Sequence, residues 1–197
     1  MESTRKTTEK RKTKETDIEL TLDLDTYFEG EIKSGSGFLD HMLDLFRKHS
    51  GMGLSLICEG DTEVDMHHSC EDIAICLGSA ILKAVGDKKD MERFGFYYVP
   101  MDEALVRAVL DLSGRISFEF SGDIQRNTIG NFETEMAIHF FKTIAQSGKM
   151  NLHLDIIRGR NAHHCIEGMF KAFARALAMA VSSSSRIKGV PSTKGIL

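Results

Sequence analysis

The stretch MHHSCED (Met66–Asp72) sets two imidazoles side by side, with a carboxylate four residues after the first, ahead of an apolar run. AHHCIE (Ala162–Glu167) repeats that spacing in the second half of the chain. On an α-helix, residues four apart share a face, so His67 and Glu71 can reach one metal ion while His68 is turned about 100° away. The same holds for His163 and Glu167 against His164. Each motif therefore supplies part of two sites. A pseudo-twofold between the halves would let each spare imidazole complete the site built on the other half's His and Glu. That gives one set of His67, Glu71, His139 and His164 and another of His41, His68, His163 and Glu167. Three imidazoles and a carboxylate suit Mn(II), Fe(II) or Zn(II), with open positions for substrate on a six-coordinate ion. A single His pair at a helix start would more simply cap or pack there. The doubling, with His41 and His139 also in register, favours ligation. His49 and His153 do not align and read as structural; Cys70 and Cys165 sit inside the motifs, but thiolate matches manganese poorly.

The elements that must position these residues are written twice. At an offset of 98, DIELTLDLD (Asp17–Asp25) falls on RISFEFSGD (Arg115–Asp123), both alternating as half-buried strands do. GFLDHMLDLF falls on EMAIHFFKTI, which pairs His41 with His139 in amphipathic helices, and GLSLICEG falls on NLHLDIIRG as a further strand. A two-residue slip then brings His67 onto His163, His68 onto His164 and Glu71 onto Glu167. The expected architecture is α+β, a duplicated unit with helices covering sheets, its repeats spanning about 11–90 and 108–185 of a single domain over 11–197. Between the repeats, GDKKDMERFGFYYVPMDEALVRAVLDLSGR carries a strand around Phe96 to Val99, Pro100 and the acidic pair Asp102 and Glu103. Residues 1–10, polar and basic, are expected to be a flexible tail.

A chain of 197 residues can bury a substantial core. Its formal net charge of -4 argues against a nucleic-acid or membrane surface and leaves small molecules or protein partners. Four cysteines without a CxxC pair read as reduced, buried thiols of a cytoplasmic protein. There is no bilayer-length apolar run and no apolar signal core.

With RKTKET, GFLDHML, HHSCED, RFGFYYVPMDEAL, DLSGR, GRNAHHCIE, FKAFARAL and PSTKG in this order, the sequence resembles the imidazoleglycerol-phosphate dehydratases of histidine biosynthesis from about Arg11 to Leu197. The resemblance implies a duplicated fold like the second domain of ribosomal protein S5. It also implies two Mn2+ per active site held by the HHxxE motifs, and a homo-oligomer of 24 chains built from trimers with active sites between subunits. The implied reaction removes water from imidazole glycerol phosphate to give imidazole acetol phosphate. Because the proton to be lost has no adjacent carbonyl, the expected route makes the ring an electron reservoir, as an imidazolate bridging two Lewis-acidic ions. Glu15 is the first candidate to move protons, followed by Asp102 and Glu103, with Glu167 counted among the catalytic carboxylates as well as the ligands. Arg93, Arg115, Lys171, Ser192 and Lys194 match the family's phosphate-contacting positions, Glu15 also facing substrate. Two other classes stay open: a two-metal phosphoester hydrolase, which would use bridging carboxylates, and ions that only join subunits, which would have filled coordination shells.

Overall fold

A computed structural model describes residues 5–195. Four strands and two helices make up the first half: β1 (Lys6–Lys12), β2 (Thr16–Asp23), β3 (Glu29–Lys33), α1 (Gly37–Ser50), β4 (Gly53–Gly60) and α2 (His67–Val85). The second half follows with β5 (Phe94–Met101), β6 (Ala104–Asp111), β7 (Ser117–Ser121), the short β8 (Thr128–Ile129) and β9 (Phe132–Glu133), α3 (Glu135–Ser147), β10 (Asn151–Arg158) and α4 (Ala162–Val181). The two four-stranded sheets have equivalent orders, β1-β2-β4-β3 and β5-β6-β10-β7, with only the last pair of each parallel. Inward residues of the strands, among them Ile18, Leu20, Leu22, Leu54, Leu56, Val106, Ala108, Leu110, Leu152 and Leu154, are buried under the helices. α2 packs on β1 and β2 and against α3; α4 packs on β5 and β6 and against α1. Each long helix thus lies on its own sheet and meets a helix of the opposite half. No helix among the described residues is long and apolar enough to cross a membrane.

Strand register corrects the expected repeat. In the ladders Leu22 faces Leu54 and Leu20 faces Leu56, while Leu110 faces Leu152 and Ala108 faces Leu154. β2 is therefore matched by β6 at an offset of 88, and β7 matches β3, not β2. The second repeat begins with β5 near Phe94, so the stretch read as lying between the halves supplies its first two strands. Strand alternation has a period of two residues, and any even shift of one strand over another preserves it. The offset reaches 98 at α3 because ten residues carrying the β8–β9 hairpin are inserted there. That insertion has a use: buried Phe132 packs on Phe38 at 5.4 Å, and the Phe38 ring stands 5.2 Å from His163.

The flexible tail is also corrected from Lys6 onward; residues 1–4 lie outside the described residues. β1 pairs with β2 from Lys6 to Lys12. Its inward side is polar, and α2 answers it with ion pairs, Lys83 to Glu9 at 2.7 Å and Asp72 to Arg11 at 2.8 Å. A strand satisfied by charge on both faces carries no hydrophobic alternation to read.

Close approach of helix to sheet depends on Gly95 of β5. A β-carbon there would lie 1.8 Å from the Ala176 carbonyl oxygen of α4, and backbone cannot yield as a flexible side chain can. Gly95→Ala should lower the thermal midpoint by several degrees, corresponding to an overpacking cost of about 1–3 kcal/mol. A scan of the variant beside the parent chain checks it, and an unchanged midpoint would contradict this packing.

Candidate metal centres

All four helices begin at the same end of the molecule. Phe38 near the start of α1 touches His163 near the start of α4, and Cys70 in the first turn of α2 contacts the Met136 carbonyl of α3. Each histidine-pair helix is anchored two residues ahead of its first histidine: the Asp65 carboxylate accepts the His67 N–H at 2.8 Å, and the Asn161 side chain accepts the His163 N–H at 2.9 Å. An Asx two residues before each HH pair is visible in the sequence, and a search for caps would have found it.

Two groups of donors form there, each with ligand atoms within 4.8 Å of one another: His67, Glu71 and His139, and His41, His163 and Glu167. Glu71 lies 3.0 Å from His139, and Glu167 lies 3.0 Å from His163 and 3.6 Å from His41. Both groups cross the halves, because α2 meets α3 and α1 meets α4. Two imidazoles and one carboxylate are donors that Mn(II), Fe(II) and Zn(II) accept, with positions to spare on a six-coordinate ion. Burial pushes the Glu167 carboxyl up, but Lys171, His163 and His41 outweigh it and hold the group below the usual carboxylate range.

Three members of each expected set of four are thus together, and the fourth is not. His68 and His164 face carboxylates instead. Asp61 meets His68 Nδ1 at 3.0 Å and Glu103 meets His164 Nδ1 at 2.8 Å. Those hydrogen bonds are the largest cause of the raised pKa of both rings. Glu103, which also accepts the N–H groups of Asn161 and Arg160, is held down at about 2. Glu15, exposed in the β1–β2 turn, comes to 4.0 Å from His68 Nε2, and Asp102 to 3.8 Å from His164 Nε2. Helical spacing and repeat matching give no sign of Asp61, which lies in a loop outside both.

The expected phosphate residues divide. Arg93, Arg115, Ser192 and Lys194 line one cavity of about 710 Å3. Arg93 is already committed: its guanidinium pairs with Asp111 and donates to the Pro191 carbonyl at 2.7 Å, so it holds the C-terminal segment in place. Lys171 does not join them. It sits one helical turn beyond Glu167 and bonds that carboxylate at 2.6 Å. The cavity lies at the far end of α4 from His163, since Arg93 donates its N–H to the Ala180 carbonyl. Seventeen residues of helix put about 25 Å between the two.

Burial leaves all four thiols free and raises their pKa, Cys58 to about 11 and Cys76 to about 12, so none is a thiolate ligand in waiting.

A family profile described as imidazoleglycerol-phosphate dehydratase matches residues 34–177. The chain belongs to the imidazoleglycerol-phosphate dehydratase family. It is 51% identical to the enzyme of that name from Chlorobium limicola over 195 residues, covering 99% of this chain and 96% of that one. Identity is 50% to the enzyme from Caldanaerobacter subterraneus, covering 98% of this chain and all of the relative. The crystal structure of the Staphylococcus aureus dehydratase superposes with a TM-score of 0.83 at 38% identity, covering 91% of this chain and 99% of that one. That of Pyrococcus furiosus, in complex with (S)-C348, gives 0.82 at 33% identity over 96% and 100%. Family membership makes the chain a hydro-lyase, and the mixed fold with helices on sheets agrees with both structures.

After chelation and titration with Mn(II), His41→Ala and His139→Ala should each bind half the ions of the parent chain, because each removes a donor from one group only. Equal stoichiometry in all three, read by atomic absorption, would contradict these assignments.

Proposed function

We propose that the chain dehydrates D-erythro-imidazole glycerol phosphate to imidazole acetol phosphate in cytoplasmic histidine biosynthesis. The observation that carries this is the paired, separate His/Glu groups at the helix starts, together with the cationic cavity that shares the chain with them. The substrate has matching ends: a ring whose two nitrogens point in different directions, and a phosphate. His67, Glu71 and His139 would hold one Mn2+ and His41, His163 and Glu167 the other. Bound there, manganese supplies Lewis acidity to ring nitrogens, which favours loss of the ring proton and lets the ring carry electrons.

The rest falls to side chains. Arg115, Ser192 and Lys194 take the phosphate, with Arg93 fixing the segment that carries the last two. Glu15, exposed beside His68, moves the proton from the carbon that has no neighbouring carbonyl. The groups share no carboxylate, which favours this reading over a two-metal hydrolase with a bridging ligand.

A glycerol phosphate cannot span about 25 Å of helix, so the cavity of one chain must serve the helix starts of another. Self-association is therefore part of the proposal, with 24 chains built from trimers. An asymmetry of the sheets supports it: the outer face of the first is laced mainly with pairs such as Lys10–Glu19 and Lys12–Asp17, whereas the second, beside its Arg107–Asp155 pair, exposes Phe94, Phe96, Tyr98 and Val109.

Incubation with imidazole glycerol phosphate, with and without Mn(II) after chelation, should give the ketone only with metal; no ketone in either arm would refute the proposal. Glu15→Gln should keep its metal and lose at least about a hundredfold in turnover. Lys194→Ala should raise KM for the phosphorylated substrate, and an unaltered KM would remove it from the phosphate site.

A further inference from the structure

The β1–β2 and β5–β6 turns are equivalent in the duplicated fold, and the offset of 88 carries Glu15 onto Glu103. Each turn leans over the first turn of its own half's long helix, where His68 or His164 stands. The two glutamates nevertheless do different things. Glu103 accepts His164 Nδ1–H with one oxygen at 2.8 Å, and its other oxygen accepts the N–H groups of Arg160 and Asn161 at 3.1 and 2.8 Å. Glu15 accepts nothing of that kind. In its half the Nδ1 partner is Asp61, from the loop between β4 and α2, at 3.0 Å. Around each ring, then, one carboxylate sits on the Nδ1 side and another stands off Nε2: Asp61 and Glu15 about His68, Glu103 and Asp102 about His164.

An ionised carboxylate only accepts, so each ring must place a proton on Nδ1. In the neutral imidazole that leaves Nε2 bare. We propose that Asp61 and Glu103 are positioning residues that fix His68 and His164 in one tautomer and orientation, presenting Nε2 as the donor that completes a metal site. Glu103 is thereby withdrawn from proton transfer, which its counterpart Glu15 is free to perform. The inference rests on the metal-centre reading above. It adds to it the pair of carboxylates that prepares the two histidines left outside the clusters. Outer carboxylates of this kind hold a ligating ring in place, and their loss weakens metal binding by about 10–100-fold.

Asp61→Asn and Glu103→Gln test it. An amide can donate to Nδ1 and so stabilise the opposite tautomer, while the side-chain carbonyl left by Glu103→Gln can still accept the backbone N–H groups. Mn(II) affinity of the chelated full chain, measured by electron paramagnetic resonance without substrate, should fall about 10–100-fold in each variant. The metal-free melting temperature should stay at the parent value. Parent-like affinity in either variant overturns the proposal, and parent-like affinity with a hundredfold loss of turnover in Glu103→Gln would make Glu103 the proton-transfer group instead. If Glu103→Gln melts lower, Glu103→Asp, which keeps an ionised acceptor, must bind Mn(II) more tightly than the glutamine variant; equal weakening also overturns it. Failure of the parent chain itself to bind Mn(II) would sink the metal reading, whereas tight parent binding with unaffected variants sinks only the positioning roles.

Discussion

Neighbouring residues on an α-helix point about 100° apart, so only one ring of an adjacent histidine pair can face the carboxylate four residues on. Everything else at this site follows from that angle. His67 and His163 turn toward Glu71 and Glu167, and the partner each needs arrives from a helix of the opposite half, His139 or His41. The duplicated fold supplies those partners because α2 packs on α3 and α1 on α4. His68 and His164 are left over by the same geometry, and they are left over twice, in equivalent places. An imidazole ligates weakly if its ring is free to turn, which is the weight the carboxylate contacts of Asp61 and Glu103 would carry if these two rings complete the sites.

Duplication alone would have produced two copies of one arrangement, yet the copies differ where chemistry needs them to. The first half keeps a short β3–α1 connection and a Glu15 that stands 4.0 Å off His68 Nε2. The second inserts the β8–β9 hairpin, whose Phe132 packs against Phe38 beside His163, and ties Glu103 to His164 and to the backbone ahead of α4. The sheets diverge as well, one outer face carrying mostly ion pairs and the other a run of exposed aromatics beside its Arg107–Asp155 pair. Two His/Glu groups of matching composition thus sit in surroundings that are not interchangeable.

Much of the site was legible because helical spacing is strict and gives the i, i+4 pairs directly, while the repeat offset of 98 set His41 in register with His139. Strand register was not, since alternation survives any even shift, and the match of β2 to β7 instead of β6 came from that degeneracy. β1 was missed because its inward Glu9 and Arg11 are neutralised by Lys83 and Asp72, residues of α2 far along the chain. Contacts set by tertiary approach gave no local signal at all: Asp61 on His68 and Arg93 on Asp111. Lys171 on Glu167, an i, i+4 pair within α4, was open to the same helical arithmetic and was passed over. Arg93 and Lys171, both expected at a phosphate, direct their hydrogen bonds inside their own chain instead.

Arg93 ties this together. Its backbone N–H reaches the last turn of α4, its side chain grips Asp111 and the Pro191 carbonyl, and the segment it holds brings Ser192 and Lys194 to the wall of the cationic cavity. α4 therefore has a cationic cavity at one end and the His/Glu groups at the other, separated by its own length. A rigid helix of that length keeps the two apart within one chain, so a small substrate could reach both only where the end of one α4 is set against the start of another. On the proposed function, assembly would then be a condition of catalysis, since a chain that folds correctly but stays alone keeps its His/Glu groups and its cationic cavity a helix length apart.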